Sequence, residues 1–407
     1  MGKIKGGVTS PKGFEAAACA AGIKYQDRND MALIISNTPC AVAGTFTKNI
    51  VKAAPVKWCQ EIVKSSEVVH AIVVNSGIAN ACTGEQGYEY CKESADEVAR
   101  TLNISEKAVL IGSTGVIGKQ LPIDKIKAGI DKLAKDRNAS LENGSEAAKA
   151  IMTTDTVEKQ LAVEIELDGA KVTIGGMCKG SGMIHPDMCT MLSFLTTDVA
   201  ISQELLQKAL SSVVDDTYNM ISVDGDTSTN DTVLLMANGE AGNTPIVTED
   251  DNYQKFVAAL NEINVCLAKQ IAGDGEGATS LFEAQVIGAE SKEQAVIISK
   301  SIISSSLTKA AIYGNDANWG RIICAMGYSG ATFDPEKIDL FFVSKAGKIQ
   351  IIQGGVALDY SEEEATKILS EEEVTAIVDI KMGNASATAW GCDLTHEYVS
   401  INADYRS

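Results

Sequence analysis

Two stretches of this sequence combine glycines with hydroxyl-bearing residues in a way that could carry chemistry. The first runs Lys179-Gly-Ser-Gly-Met-Ile-His-Pro-Asp-Met-Cys189-Thr190 and continues Met-Leu-Ser-Phe-Leu-Thr-Thr-Asp198. A flexible glycine loop there leads into a threonine that begins an apolar strand, and such glycines suit a backbone that must approach a ligand, or itself, closely. On residue types alone the plain reading is a hairpin connection ending in a strand threonine. The chemical reading makes Thr190 a nucleophile. The second stretch, Ser113-Thr114-Gly115-Val116-Ile117-Gly118, follows an apolar run. It is too loose for a dinucleotide fingerprint, the acidic partner expected about 20 residues on is not clear, and it does not match a phosphate-binding P-loop. A turn of this kind can present a hydroxyl and a backbone N–H to one point, as an oxyanion requires. Glycine turns after strands are equally common without that role.

The other chemically capable residues are scattered. Ten cysteines (Cys19, Cys40, Cys59, Cys82, Cys91, Cys178, Cys189, Cys266, Cys324 and Cys392) include no Cys-x-x-Cys pair. In a cytoplasmic protein they read as reduced, mostly buried thiols acting as small hydrophobes. Three histidines, His70, His185 and His396, give no zinc-ligand spacing. Cys189 with His185 forms a rival nucleophile pair. Lys179 and Glu276, taken singly, read as surface charges. Glu276 lies in Gly273-Asp-Gly-Glu-Gly-Ala-Thr279, whose glycines fit a tight loop.

The elements that must position these residues belong to an ordinary globular chain. Of 407 residues, 45% are hydrophobic and 22% charged, with 35 Gly and only 7 Pro, which excludes fibrous and disordered classes and allows one large domain or two. A net charge of −19 with 5% aromatics argues against a nucleic-acid surface. No run approaches the roughly 20 apolar residues of a membrane span. Met-Gly-Lys-Ile-Lys-Gly-Gly lacks the apolar core of a signal peptide, and position 6 lacks the Ser or Thr of a myristoylation site. A cytoplasmic protein without membrane or nucleic-acid partners is expected.

Short apolar strands alternate with amphipathic helices, so the class is mixed α/β, in α+β layers. Strands are predicted near Val68–Val74, Ala108–Ile111, Met191–Thr196, Val233–Ala237, Phe282–Ile287, Thr375–Lys381 and Ala385–Ala389. Helices are predicted near Gln86–Leu102, Ile123–Leu133, Gln203–Val214 and Tyr253–Ile271. Leu161, Val163, Ile165 and Leu167 alternate up to Asp168-Gly169, and Val172 and Ile174 alternate on the return, which predicts a β-hairpin feeding the glycine stretch Gly175–Gly182. A second hairpin spans Ile338–Val356, turning at Ala346-Gly347. Glu362–Glu364 and Glu371–Glu373 read as a solvated helix surface. No fixed-period repeat, low-complexity block or clear linker is present.

Six segments in order resemble the ornithine acetyltransferase family, also called glutamate N-acetyltransferase, of arginine biosynthesis. They are the region around Thr190, Ser113–Gly118, Ala150-Ile-Met-Thr-Thr-Asp-Thr156, Asp224-Gly-Asp-Thr-Ser-Thr-Asn-Asp231, Asn315-Asp-Ala-Asn-Trp-Gly-Arg321 and Ile401-Asn-Ala-Asp-Tyr-Arg-Ser407. The likeness runs from about Gly7 to the last residue. Three places depart from the family pattern: Cys189 for a usual Ala, His185 and Asp187 for Ala and Asn, and Ile78 for Asn in Asn75–Thr83.

The resemblance implies a self-processing fold of the N-terminal-nucleophile kind, in which the precursor cuts itself before Thr190. The pieces would be 1–189 (an alpha chain) and 190–407 (a beta chain), with Cys189-Thr190 as the cleavage site. It implies Thr190 as nucleophile and, through its freed α-amine, general base, because a threonine hydroxyl needs a base near neutral pH. Thr114 hydroxyl and Gly115 N–H would form the oxyanion hole. Thr153, Lys179, Thr190, Glu276, Asn402 and Ser407 would hold substrate. Lys179 suits a carboxylate and Glu276 a cationic amine. The implied reaction is ping-pong transfer of acetyl from N-acetylornithine to glutamate, with acetyl-CoA a possible second donor and no metal or organic cofactor, in a heterotetramer of two alpha and two beta chains. The rival readings are an amidase or aminopeptidase of the same self-cleaving class, and a non-catalytic binding protein of similar fold.

Overall fold

The computed structural model describes residues 2–65, 68–185 and 191–404. They form a mixed α/β fold with two sheets and two compact units. The first unit comprises the described residues of Met1–Gly180, Pro186–Asn219 and Thr227–Leu267; the second comprises those of Ser181–His185, Met220–Asp226 and Ala268–Ser407. This partition by packing differs from the pieces 1–189 and 190–407 that a cut would leave.

The strands among the described residues, in chain order, are β1 (Gly2–Ile4), β2 (Phe14–Cys19), β3 (Met31–Phe46), β4 (Val69–Asn75), β5 (Val109–Ser113), β6 (Lys159–Leu167), β7 (Ala170–Lys179), β8 (Leu192–Thr197), β9 (Ile221–Ser222), β10 (Thr232–Ala237), β11 (Leu281–Ala289), β12 (Asp339–Ser344), β13 (Gly347–Gln353), β14 (Val356–Ala357), β15 (Glu373–Asp379) and β16 (Ala385–Cys392). In the first unit the order is β1-β6-β7-β8-β10-β3-β4-β5, with β2 also paired to β3. Strand β3 spans 16 residues and serves two neighbourhoods. Its Met31–Ile35 segment pairs with β2 and β4, a register shift falls between Ile35 and Cys40, and Ala41–Phe46 pairs with β10.

Helices cover this sheet with apolar stripes. In Ile123–Asp136 the buried residues Ile126, Ile130, Leu133 and Ala134 follow helical spacing. Each large aliphatic side chain so buried contributes about 1.5–3 kcal/mol. Helix Gln203–Asp216 starts where Ser202 Oγ accepts from the Leu205 N–H, an N-cap.

The hairpin read from alternation is β6–β7. Asp168 and Gly169 both have positive φ, as a two-residue hairpin turn requires. The glycine stretch differs from expectation. Its first part is not a flexible loop, because β7 continues through Gly175 and Gly176 to Lys179. A Cβ at Gly175 would lie 2.0 Å from the Gly7 carbonyl oxygen, and one at Gly176 would lie 2.6 Å from the Leu195 side chain. These glycines let neighbouring backbone and side chains close onto a buried strand.

In the second unit the strand order is β14-β13-β12-β15-β11-β16-β9. The β12–β13 hairpin turns at Lys345-Ala346, one residue earlier than expected, and Gly347 opens the return strand. The acidic run also divides. Glu362–Glu364 begin the helix Glu362–Leu369, whereas Glu373 opens β15, so only the first triplet lies on a helix. Among the described residues no single helix is long and apolar enough to cross a membrane.

Candidate active site

The turn after β5 is built by three segments of the first unit. Strand β4 ends at Asn75, whose carbonyl accepts the Thr114 N–H (3.1 Å). Its side chain accepts from Ser113 Oγ (2.7 Å) and donates to the Ile78 carbonyl (2.9 Å). Gly77 accepts the Val116 N–H (3.1 Å), and Ala79 donates back to Val116 (3.0 Å). From the third segment, Asn230 Nδ2 donates to the carbonyls of Ala79 (2.6 Å) and Ser113 (2.8 Å). Gly115 takes φ +127°, and a Cβ there would stand 2.2 Å from the Gly77 carbonyl carbon. Only glycine permits so close a crossing of two backbones. Among the described residues neither the Thr114 hydroxyl nor the Gly115 N–H has a hydrogen-bond partner, and both residues are half-buried. Two pre-placed, unengaged donors in one turn can stabilise a developing oxyanion. Ile78 contributes its carbonyl to the turn and its side chain to the core, so its peptide role does not depend on side-chain type.

A buried ionic cluster lies at the end of β7 in the same unit. Lys179 Nζ donates to Thr153 Oγ1 at 2.9 Å. Asp155 Oδ1 accepts from Lys159 Nζ (2.8 Å) and the Gly180 N–H (2.7 Å), and its Oδ2 accepts the Thr153 N–H (3.0 Å). Lys179 Nζ forms a looser ion pair with Asp155 Oδ2 at 3.8 Å, beyond hydrogen-bond distance. The Lys159 and Asp155 side chains are fully buried. Burial alone would raise the Asp155 carboxyl; the Lys179 and Lys159 ammonium groups and the hydrogen bonds from Lys159 and Thr153 outweigh it and hold the group well below the usual carboxylate range. Thr153 connects to the turn through the chain, since Ser76 Oγ, beside Gly77, donates to the Ala150 carbonyl (2.8 Å).

The second unit carries a buried carboxylate. Glu276 is 6% exposed and sits between Gly275 and Gly277. A Cβ at Gly275 would be 2.6 Å from Cys392 Sγ, and one at Gly277 would be 2.8 Å from the Tyr398 nitrogen, so both glycines are required by close neighbours. Asn402 Nδ2 donates to Glu276 Oε2 (2.6 Å), and Glu276 N–H donates to the Ser181 carbonyl (2.9 Å). Gly182 packs on the carboxylate, with a Cβ there 2.4 Å from it. Among the described residues no cation pairs with Glu276, which leaves the carboxylate available to a cationic amine. Asp224 organises the adjoining segment: it accepts the Met183 N–H (2.6 Å), the Ile184 N–H (2.8 Å) and the Tyr398 hydroxyl (3.2 Å). Burial and the neighbouring Asp224 push the Tyr398 phenol above its ordinary range.

Of the residues expected from sequence, Thr114 and Gly115 share one turn, Thr153 and Lys179 are hydrogen-bonded, and Glu276 and Asn402 are hydrogen-bonded. Cys189, Thr190 and Ser407 lie outside the described residues. His185 Nδ1 lies 3.0 Å from Ser222 Oγ. Buried thiols bear out the reading of most cysteines: burial pushes Cys40 and Cys59 up to about 12, while Cys82 and Cys324 are exposed. Asp155, Asn230, Asn75, Asp224 and Lys159 carry no role in the sequence reading, although the first four lie in or beside its motifs. A lysine at the apolar parity of a predicted strand was the available signal.

A model described as the ArgJ family matches residues 15–407. The arginine biosynthesis bifunctional protein ArgJ of Thermotoga neapolitana is 50% identical over 398 residues, spanning 98% of this chain and 99% of that protein. The arginine biosynthesis bifunctional protein ArgJ 1 of Clostridium acetobutylicum is 52% identical over 400 residues, spanning 98% and 97%. Among solved structures, the arginine biosynthesis bifunctional protein argJ from Bacillus halodurans is 48% identical with a TM-score of 0.51, covering 53% of this chain and 99% of that one. An ornithine acetyltransferase complexed with ornithine from Mycobacterium tuberculosis is 42% identical with a TM-score of 0.44, covering 46% of this chain and 98% of that one.

Proposed function

This chain belongs to the ArgJ family, and from that premise we propose that it works through an acetyl-enzyme on Thr190, formed after the chain cuts itself between Cys189 and Thr190. The enzyme is a glutamate N-acetyltransferase of arginine biosynthesis, moving acetyl from N-acetylornithine to glutamate. In the proposed processing step Thr190 Oγ attacks the Cys189 carbonyl, the peptide C–N bond breaks to leave an ester and a free Thr190 α-amine, and water hydrolyses the ester to free the Cys189 carboxylate and the Thr190 hydroxyl. That amine then takes the hydroxyl proton as Oγ attacks the acetyl carbonyl, and delivers it to the departing ornithine nitrogen. The α-amine of glutamate next attacks the ester, and Thr190 is regenerated.

The observation that carries this reading is the unengaged pair of donors, Thr114 hydroxyl and Gly115 N–H, held in a turn that three segments fix. Both tetrahedral intermediates place negative charge on the former carbonyl oxygen, where such donors act most strongly. Lys179 with Thr153 meets the α-carboxylate. Glu276 with Asn402 meets an amine, and Ser407 completes the substrate contacts. Donor and acceptor share the α-carboxylate and the reacting α-nitrogen but carry side chains of opposite charge. The shared α-nitrogen is a neutral amide in the donor, so the cation that Glu276 suits is the side-chain ammonium of N-acetylornithine and of the departing ornithine. The name "bifunctional" on the relatives supports acetyl-CoA as a second donor. The Bacillus halodurans chain is matched over 99% of its length by 53% of this one, a length near that of the proposed later piece, 218 of 407 residues. The working form in this reading is a cytoplasmic heterotetramer of two alpha and two beta chains.

Intact mass spectrometry under denaturing conditions tests the reading. Wild type should give two chains, Met1–Cys189 and Thr190–Ser407, and Thr190→Ala one uncut, inactive chain. A single full-length chain with full exchange activity rejects Thr190 as the nucleophile.

A further inference from the structure

We propose that Asp155 and Lys159 are positioning residues that keep the Lys179 ammonium aimed at, and available to, the substrate α-carboxylate; this rests on the acetyltransferase reading above. Lys179 alone could satisfy itself by closing onto Asp155, in which case its charge would be spent inside the protein. The structure limits that to a loose ion pair, because two ammonium groups share the one carboxylate and Lys159 holds it more closely. Lys159 holds Asp155 Oδ1 at 2.8 Å, together with the Gly180 N–H at 2.7 Å, and the Thr153 N–H holds Oδ2 at 3.0 Å. Three donors thus hold the carboxylate by hydrogen bonds, and Lys179 keeps only the looser ion pair at 3.8 Å, so two positive charges face one negative charge. Its one hydrogen bond goes to the neutral Thr153 hydroxyl (2.9 Å), which fixes its direction, while Lys159 offsets most of the Asp155 charge.

Asp155 therefore organises three places at once. It fixes the backbone of Thr153, whose side chain aims Lys179. It fixes Gly180, next along the chain from Lys179. Its negative charge also favours the ammonium form of a lysine that is nearly buried. Lys159 is fully buried, and a lysine is rarely so without a specific task. Here the task is to occupy Asp155. A residue so placed acts on affinity for one ligand group, the carboxylate, and not on the chemistry at the acetyl carbon.

The test compares KM for N-acetylornithine with KM for its α-carboxamide, on fully cut protein. The variants are Lys159→Met, Lys159→Arg and Asp155→Asn. Wild type should prefer the carboxylate by about tenfold or more, the scale of one charge-assisted hydrogen bond. In Lys159→Met, Asp155 is freed to close on Lys179, and the preference should fall by about tenfold, with kcat within a few-fold of wild type. Asp155→Asn, which keeps the size and one acceptor, should lose the preference as well, and Lys159→Arg should retain most of it. An unchanged preference in both Lys159→Met and Asp155→Asn overturns the proposal, as does an equal loss for both substrates, which marks a merely structural role. Wild type without acetyl exchange instead refutes the acetyltransferase reading itself, so the two failures are distinct.

Discussion

Asn230→Ala is the sharpest probe of the turn that carries Thr114 and Gly115. Asn230 is 7% exposed, and its one amide nitrogen serves two carbonyls, Ala79 at 2.6 Å and Ser113 at 2.8 Å, while its oxygen accepts from Thr229 Oγ1 at 2.6 Å. Alanine removes the donor and leaves two buried acceptors short of a partner. Each such loss costs about 1–3 kcal/mol, and because a carbonyl retains a second lone pair the lower half of that range applies, about 2–4 kcal/mol in total. With a urea dependence of about 2–3 kcal/mol per M, the midpoint of the transition that includes the first unit should fall by about 1 M. The catalytic effect should be separate. Ala79 and Ser113 flank the crossing of Gly77 and Gly115, so release of Asn230 lets the donors drift, and a displacement near 1 Å costs about 100-fold in rate. Steady-state exchange on fully cut protein should show kcat reduced by about 10- to 100-fold with KM within a few-fold, alongside the urea shift read by far-UV circular dichroism. A lowered midpoint with unchanged kcat would detach this turn from catalysis. An unchanged midpoint would refute the energetic reasoning about the two carbonyls.

The other expectations concern single groups. Thr114→Ala should lower kcat by about 10²–10³, typical of one lost oxyanion donor, with little change in stability; a raised KM at constant kcat would assign the hydroxyl to ground-state binding. Glu276→Gln keeps an acceptor for Asn402 but removes the charge, so kcat/KM should fall about 10- to 100-fold, as for a lost charge-assisted bond; a value near wild type would exclude an amine partner. Because the folded Asp155 carboxyl is held below its ordinary value, its contribution to stability is full above about pH 4 and is lost as pH falls through the folded value. Asp155→Asn should therefore destabilise the protein at pH 7 and progressively less below pH 4, and a gap in urea midpoint that widens on acidification contradicts that assignment.

What the sequence discloses follows from the range over which each signal acts. The β6–β7 hairpin is readable because alternation and an Asp-Gly turn are both local, and both are realised. Strand β3 is not, because most of Met31–Phe46 is buried and apolar in its first half and changes partners after a register shift, so no period of two runs its length. The stretch after Val172 misleads for a different reason. Glycine usually weakens a strand, but Gly175 and Gly176 are there because Gly7 and Leu195 press against them, contacts from residues remote in sequence. The same limit governs the site. Thr153, Lys179, Glu276 and Asn402 are legible only through resemblance of their motifs, whereas the Thr114 turn is weakly readable from its residue types. Asn230, which holds carbonyls more than 100 residues away, has no local signature at all. Lys159 is the instructive intermediate. It falls at the same parity as Leu161, Val163, Ile165 and Leu167, so an alternating strand that points those residues inward must also bury an ammonium. Burial of that charge demands an acid nearby, and Asp155, four residues earlier, meets it. The strand pattern and the cost of a buried charge were both available in the sequence. Taken together, they point to this ionic cluster without any knowledge of what the cluster serves.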